Sequence, residues 1–273
     1  MRAKERDRFH GRQLRALLAQ ELADRWRSLV IWGLALGVLG ILYVALYPSM
    51  SKFMEEYLEQ APESMRRLLG ELQGPITAEK WLEMEFLSTL LPVALPLMVI
   101  ILGARTVAGR EERKAMDLLL CNPVPRWHLV AASTLAMAMT TAGVLGITWI
   151  LTYAAVPIVG VELSAGRLAM ALAAVWPLCL VFGTLALALS AVVRRSSLAI
   201  AIPVVILIAM YVIQALSQVS KTMEKVRFLS LLYHLGHPIG GDFPWTATLL
   251  MLLAVCVLVT AAGIAFERRD IYT

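Results

Sequence analysis

Histidine is the residue type in this chain best suited to metal binding or proton transfer. His234 and His237 are three positions apart with Asp242 close behind, a spacing that would let two imidazoles share one metal ion. Gly236 and Pro238 interrupt any helix there, so we interpret the pair as part of a turn and predict no metal site. The remaining histidines are His10 and His128.

Nucleophilic and phosphate-binding motifs are missing from the sequence. It contains no HExxH, CxxC or GxSxG pattern, and the hydroxyl residues of its apolar stretches have no histidine or lysine beside them to act as a base. The phosphate-binding pattern GxxxxGK(S/T) does not occur either. We therefore predict neither a catalytic constellation nor a cofactor on this chain, and any ATP-driven activity would need a second polypeptide.

Threonines form the most regular polar pattern. Thr134, Thr141 and Thr148 recur every seven residues and Thr152 follows four further on, so all four share one face of a helix. Hydroxyl residues of this kind either pack between helices or line a path for a substrate, together with Gln214 in a later segment. Packing alone is a sufficient explanation, but the pathway interpretation stays open.

The elements that position these residues are unusually apolar. Hydrophobic residues make up 59% of the 273 residues and charged residues 16%, against about half and about a quarter in soluble domains. This composition excludes a soluble enzyme, a nucleic-acid binder and a secreted disulfide domain. Six stretches contain no Asp, Glu, Lys or Arg: 28–51, 86–104, 127–161, 168–193, 196–220 and 243–266.

Each of these stretches has about the length of roughly 20 residues that a helix needs to cross a bilayer. A helix also satisfies its own backbone hydrogen bonds in lipid. We therefore predict an all-α membrane protein whose residues 1–273 form a single domain. Its six transmembrane helices are expected at about 29–47, 86–104, 130–156, 169–193, 197–217 and 245–266.

Lysine and arginine are concentrated on one side of this topology. With a cytoplasmic N-terminus, the inner segments hold 17 Lys and Arg residues and the outer segments hold 8. Because basic residues of short loops stay on the cytoplasmic side, we expect a multi-pass protein of the cell (inner) membrane with both termini in the cytoplasm. The same asymmetry explains the net charge of +5 without a nucleic-acid partner.

Residues 11–27 precede the first span and carry an apolar row at helical spacing beside a basic face. The row consists of Leu14, Leu17, Leu18, Leu22 and Trp26. We predict an amphipathic helix that lies in the inner membrane interface. The alternative is an ordinary cytoplasmic extension of the first span.

Two segments are expected on the outer side. The loop 48–85 contains eight Glu residues and two apolar patches separated by Pro62, which fits two short amphipathic helices. They would either cap the mouth of a pathway or form a solvated lid. The apolar run 226–235 is too short to span and is followed by glycine and proline, which indicates re-entrant or interfacial helices before the sixth span.

The inner loop 105–126 is the most informative segment. A charge cluster is followed by a short apolar helix, Met116–Leu120, which Pro123 and Pro125 end. Such a helix has nothing of its own chain to bury against. It therefore either docks into a groove of a partner or re-enters the bilayer.

This loop resembles that of the ABC-2 type permeases, the membrane subunits of one class of ATP-binding-cassette exporters. Their loop between the second and third spans has the form E-x-x-G-T-L-E-x-L-L-x-x-P-V-x-R. The matching residues are Glu111, Met116, Asp117, Leu119, Leu120, Pro123, Val124 and Arg126. Lys114 and Ala115 replace the family's Gly-Thr. The tail Phe266–Ile271 and the order of segments fit too, so the resemblance covers essentially the whole chain.

The resemblance implies a half-transporter. A second permease subunit, identical or different, would pair with this one around a central path. Two copies of an ABC-type ATPase subunit, which hold ATP and magnesium, would bind below. Residues 11–27 would be the connecting helix, and 223–241 the outer re-entrant helices. Coupling would run through Glu111, Glu112, Met116, Asp117, Leu118, Leu119, Leu120, Pro123 and Arg126.

Two rival interpretations belong to other classes of protein. The His234–His237 pair and the hydroxyl face would suit a membrane-embedded metalloenzyme or an assembly scaffold. An autonomous secondary carrier is the other rival, although such carriers usually bury a carboxylate. The only ionisable side chain in the predicted spans is that of His128, at a membrane edge. The substrate is not evident from the sequence.

Overall fold

The computed structural model describes residues 2–60, 77–112, 126–193, 195–217, 228, 230–236, 239 and 243–268. Every regular element in these ranges is helical. Six helices are long and apolar enough to cross a membrane: Gln13–Phe53, Ala78–Ala104, Trp127–Val159, Ala165–Val192, Ser196–Ser217 and Trp245–Glu267. The predicted all-α fold with six spans is confirmed.

The elements follow one another in a simple order. They are α1 (Arg2–Gln60), α2 (Ala78–Leu82), a π-helical segment (Glu83–Leu90), α3 (Leu91–Ala104), α4 (Ala108–Glu112), α5 (Arg126–Val159), α6 (Ala165–Val192), α7 (Ser196–Ser217), a 3₁₀ turn (Tyr233–Leu235) and α8 (Trp245–Glu267). The even number of spans brings both ends of the chain to one side of the bundle. We call this side, which also carries α4, the termini side, and the opposite side the far side.

Helix α1 joins regions that the sequence separates. The amphipathic stretch 11–27, the first span and the start of the loop 48–85 form one continuous helix, with Pro48 inside it. The first of the two expected outer helices is therefore not a separate element. Pro48 does not end the helix, and the Ser51 hydroxyl donates to the Pro48 carbonyl oxygen at 3.1 Å. Residues 61–76, where the second outer helix was expected, lie outside the described ranges.

The second span begins at Ala78, eight residues before the expected start. Glu83 lies in this additional part of the helix and is only 5% exposed. Residues Glu83–Leu90 adopt a π-helix, a form that is rare in proteins. The Thr89 hydroxyl donates to the Met84 carbonyl oxygen, five residues back, at 2.7 Å. The ring of Phe86 is buried, 5.7 Å from that of Tyr43 in α1.

Two further boundaries differ from the expected ones. Helix α5 continues through Pro157 to Val159 and ends before Gly160, whose positive φ of 75° favours glycine. Helix α6 begins at Ala165, four residues before the expected start of the span, and Arg167 in its first turn pairs with Glu79 of α2. Their Nη1 and Oε2 atoms are 2.8 Å apart, and the Ser164 amide donates to the other Glu79 oxygen at 3.2 Å.

Helix α6 lies at the centre of the bundle. Most of its residues are buried, and it contacts α3, α5, α7 and α8. The backbones of α3 and α6 approach so closely that a Cβ atom on Gly103 would collide with the carbonyl oxygen of Gly183. Small residues are the usual means of bringing membrane helices into such contact.

Helices α1 and α5 pack along each other through a row of glycines. A Cβ atom on Gly33 would lie 2.9 Å from Ile147 Cδ1, and Cβ atoms on Gly37 and Gly40 would collide with Leu151 and Thr152. The other face of α1 exposes large apolar side chains, as expected for contact with lipid. These are Ile31, Leu34, Val38, Leu42 and Leu46.

Candidate functional site

The predicted coupling loop is described only at its two ends. Glu111 and Glu112 lie in α4, and Arg126 is the first residue of α5. The central residues are outside the described ranges; they are Met116, Asp117, Leu118, Leu119, Leu120 and Pro123. The contacts at the two ends therefore show how the loop is connected to the rest of the bundle.

Glu112 joins the loop to the fifth span. Its Oε1 accepts the backbone amide of Ser196 at 2.8 Å, and its Oε2 accepts the Ser196 hydroxyl at 2.6 Å. Ser196 is the first residue of α7. Because the N-terminus of a helix has free amides and a partial positive charge, a carboxylate from another segment acts here as the cap of α7.

The turn before α4 is packed against the base of α6. Thr106, Val107 and Ala108 are each at most 1% exposed, and the Thr106 hydroxyl donates to the Leu102 carbonyl oxygen at 3.2 Å. The Ser190 hydroxyl of α6 donates to the Leu187 carbonyl oxygen of its own helix at 2.7 Å and lies 3.5 Å from the Gly103 carbonyl oxygen of α3. Helix α4 is in contact with α6 as well as with α7.

The other end of the loop contacts the last span. Trp127, in the first turn of α5, covers Gly263 of α8, where a Cβ atom would collide with the indole ring. Since α8 leads to the C-terminal tail, the start of α5 and the end of α8 form one packed unit on the termini side.

A buried ion pair links α1 to α5 on the same side. Arg25 Nη2 lies 2.8 Å from Glu21 Oε2, and their side chains are 7% and 4% exposed. Arg25 Nη1 also donates to the Ser133 carbonyl oxygen of α5 at 3.3 Å. Neither residue was among those predicted from the sequence, although the i, i+4 spacing of opposite charges was an available signal.

The apolar row of the N-terminal region is only partly covered by the rest of the chain. Leu14, Leu17, Leu18 and Leu22 are half-buried, and Trp26 is 56% exposed. The Arg27 guanidinium lies 5.8 Å from the centre of the Trp26 ring. An exposed tryptophan beside a basic residue is typical of a membrane interface, but the placement of 11–27 in that interface stays a prediction.

The threonine row is buried between helices. Thr141, Thr148 and Thr152 are fully buried. The hydroxyls of Thr134, Thr141 and Thr148 donate to carbonyl oxygens one turn back in α5, at 2.8 to 2.9 Å. Thr152 lies against Gly40 of α1. These contacts favour the packing interpretation, and a role in a pathway stays a prediction.

Two other predicted polar positions lie in the second half of the chain. Gln214 is half-buried in α7, and within the described part of the chain its Oε1 has no hydrogen-bond donor. His234 lies in the 3₁₀ turn with its ring 5.4 Å from that of Tyr233. His237 and Asp242 are outside the described ranges. Among the residues that are described, no group of three His, Cys, Asp or Glu residues is arranged to hold a metal.

Ionisable groups lie in the helices that contain the first two predicted spans, outside the predicted limits 29–47 and 86–104. Glu21 and Arg25 belong to the helix Gln13–Phe53, and Glu83 belongs to Ala78–Ala104. Their burial means that they act within the protein and not on a solvated surface.

Residues 15–271 match the family model for the ABC-2 family transporter protein. A comparison with curated proteins finds no match. The family match includes all six spans and both described ends of the loop, and it confirms the resemblance that the loop suggested.

Proposed function

The chain belongs to the ABC-2 transporter family, and we propose that it is the permease subunit of an ATP-binding-cassette exporter. The family consists of membrane components of ABC transport systems, which are not catalytic and work with an ATPase partner. Our proposal adds the direction of transport, a pair of permease subunits around a shared path, and two ATPase subunits that hold ATP and magnesium. The protein would lie in the cell (inner) membrane with the termini side facing the cytoplasm.

The contact between Glu112 and Ser196 is the observation that most supports this proposal. It connects the segment expected to receive the ATPase directly to the start of a span. The carboxylate accepts two donors at 2.6 and 2.8 Å, so α4 and the first turn of α7 should move together. A displacement of α4 would therefore be transmitted to α7 directly, through the Glu112–Ser196 contact.

The opposite end of the loop would move a second group of helices. Helix α5 is held to α1 by Arg25 and by the glycine row, and to α8 by Trp127. An ATPase that binds differently with and without ATP would favour one arrangement of the two groups over the other. The loop connects them along the chain, which suits it to transmit that difference.

Co-purification tests the partner. The tagged chain would be extracted from its native membrane, and ATP hydrolysis and subunit masses would be measured in the eluate. We expect an ATPase with two copies per permease pair. With Asp117→Ala or Leu119→Ala, the ATPase should no longer co-purify. Glu162→Ala, an exposed acid on the far side, is the matched control and should retain it.

The coupling step is tested separately. Glu112→Ala and Ser196→Ala should leave the ATPase bound but reduce ATP-dependent transport by about tenfold, because a loss of roughly 1.4 kcal/mol of coupling corresponds to that factor. Ser197→Ala changes the neighbouring exposed serine and should have no effect. An eluate without any ATPase, or uptake driven by an ion gradient without ATP, would contradict the proposed function.

A further inference from the structure

Helices α5 and α6 leave a cavity of about 400 Å³ between them on the flank of the bundle. All of its lining residues are apolar: Ala142, Leu145, Gly146 and Trp149 of α5, and Ala169, Leu172, Ala173 and Trp176 of α6. Both helices are candidate membrane spans. The exposed residues Ala142, Ala169 and Ala173 mark its opening to the side. We call this feature the α5–α6 groove.

Two tryptophans hold the walls of the groove apart. Trp149 Nε1 of α5 donates to the Ala165 carbonyl oxygen of α6 at 3.1 Å. Trp176 Nε1 of α6 donates in return to the Ala138 carbonyl oxygen of α5 at 3.0 Å. Each indole therefore crosses from its own helix to the backbone of the other, one at each end of the groove. Both N–H groups are satisfied, so the groove offers a ligand only apolar contacts.

The groove lies in the half of the membrane nearer the far side. Trp149 is level with Ala165, the first residue of α6. Tyr153, one turn further out, stacks on Trp149 with ring centres 5.9 Å apart and planes 3° apart. Aromatic rings with a polar atom concentrate where the hydrocarbon meets the headgroups, so the groove starts just beneath that boundary.

We propose that the α5–α6 groove is a binding site for the acyl chain of a bilayer phospholipid from the leaflet on the far side. A cavity of about 150 Å³ accepts the six carbons of benzene, so 400 Å³ has room for roughly 16 carbons, which is one acyl chain in a bent form. The lining has no polar group that would select another ligand. The groove opens from two membrane spans, so hydrocarbon is the solvent at its mouth.

The dimensions of the groove favour a lipid chain over a helix of another protein. The lining of α5 runs over the eight residues from Ala142 to Trp149, which is about 10 Å along the helix axis, and one indole lies near each end. A partner helix needs contact over much of the roughly 30 Å of the hydrocarbon core. A flexible chain fits a short groove that opens to the side, whereas a rigid helix would be held off by the tryptophans.

Gly146→Leu tests this site by filling it. A Cβ atom on Gly146 meets nothing within 4 Å, so the new side chain can occupy the groove without displacing a neighbour. Gly166→Leu is the matched control, since Gly166 has equally open surroundings and does not line the groove. Ala173→Leu fills the groove from the other wall and serves if the first variant folds poorly.

The full chain, without any ATPase, would be reconstituted with phosphatidylcholine, extracted in mild detergent and weighed by native mass spectrometry. We expect the wild type and Gly166→Leu to retain one more phospholipid per protomer than Gly146→Leu and Ala173→Leu. Equal lipid numbers in all four proteins would overturn the proposal. Equal lipid numbers with a changed oligomeric state in the groove variants would show that a protein helix fills the groove instead.

Phosphatidylcholine brominated along its acyl chains provides a second measurement. Bromine quenches tryptophan fluorescence on contact, and the chain has seven tryptophans, of which Trp149 and Trp176 line the groove. We expect Gly146→Leu to lose the share of quenching that these two contribute, and Gly166→Leu to retain it. Unchanged quenching in Gly146→Leu would overturn the proposal. No transport is measured, so the result is independent of the proposed function.

Discussion

Helix α5 packs closely against α1 but stays apart from α6, although glycines lie at both contacts. Towards α1, the facing glycines Gly33, Gly37 and Gly40 are covered by Ile147, Leu151 and Thr152, and the backbones come close. Towards α6, Gly146 faces open space, because Trp149 and Trp176 keep the two helices apart. A row of small residues therefore does not by itself determine whether two membrane helices touch. The larger residues around it decide the outcome.

The largest effect is expected where the α1–α5 contact buries charge. Arg25→Ala removes the guanidinium from the buried Glu21 carboxylate and from the Ser133 carbonyl oxygen. Breaking one side of a buried ion pair costs about 3–5 kcal/mol. Unfolding by sodium dodecyl sulfate in mixed micelles would measure the loss. Arg27→Ala, on the exposed face of the same helix, should change stability by less than about 0.5 kcal/mol; equal losses would contradict the buried pair.

Gly40→Leu tests the α1–α5 interface, where the two backbones lie close together. The added side chain collides with Thr152 and forces α1 away from α5. Overpacking of this kind costs about 1–3 kcal/mol, which the same unfolding assay would detect. Gly146→Leu introduces the same side chain on the open side and should cost far less. The comparison would fail if the two variants lost the same stability.

Trp176→Phe removes one of the two indole hydrogen bonds that join α5 and α6 at the groove. The Ala138 carbonyl oxygen loses its indole donor, while the ring remains apolar. The expected cost is about 0.5–1.5 kcal/mol, the usual net value of one hydrogen bond. We also expect α5 and α6 to move closer, which distance measurements between spin labels on the two helices would show. Unchanged distances would mean that the indole does not set the spacing.

Gly146→Ala should have the smallest effect and the opposite sign. Replacing a helical glycine by alanine stabilises a helix by about 0.5–1 kcal/mol where the methyl group has room. Gly146 offers that room and Gly40 does not. The same substitution should therefore raise the unfolding midpoint at position 146 and lower it at position 40. A loss of stability at both positions would remove the distinction between the two sides of α5.

The sequence was sufficient for the spans but not for the contacts between them. Stretches free of charge located all six spans, because a helix in lipid must be both long and apolar. The same criterion did not predict that the helix of the second span begins at Ala78, because Glu83 is buried by neighbours that lie elsewhere in the chain. The π-helical segment had no recognised signal in the sequence.

The candidate site was predictable in part. The resemblance led us to predict a coupling role for Glu112, but its partner Ser196 lies 84 positions away and only the fold brings them together. The pair of Glu21 and Arg25 had a signal in its spacing, which the amphipathic pattern concealed. The α5–α6 groove was not predictable, because two tryptophans bonded to backbone carbonyls create it, and no pattern of residue types specifies such bonds.

Because α7 is capped by a residue of α4, the length of α7 depends on the position of α4. A helix that carries its own capping side chain keeps its first turn wherever the rest of the protein moves. Helix α7 instead receives Glu112 from a different segment. If α4 withdraws by more than a hydrogen-bond length, the Ser196 amide loses its acceptor and the first turn of α7 can unwind. The position of a short inner segment would then set where the fifth transmembrane helix begins.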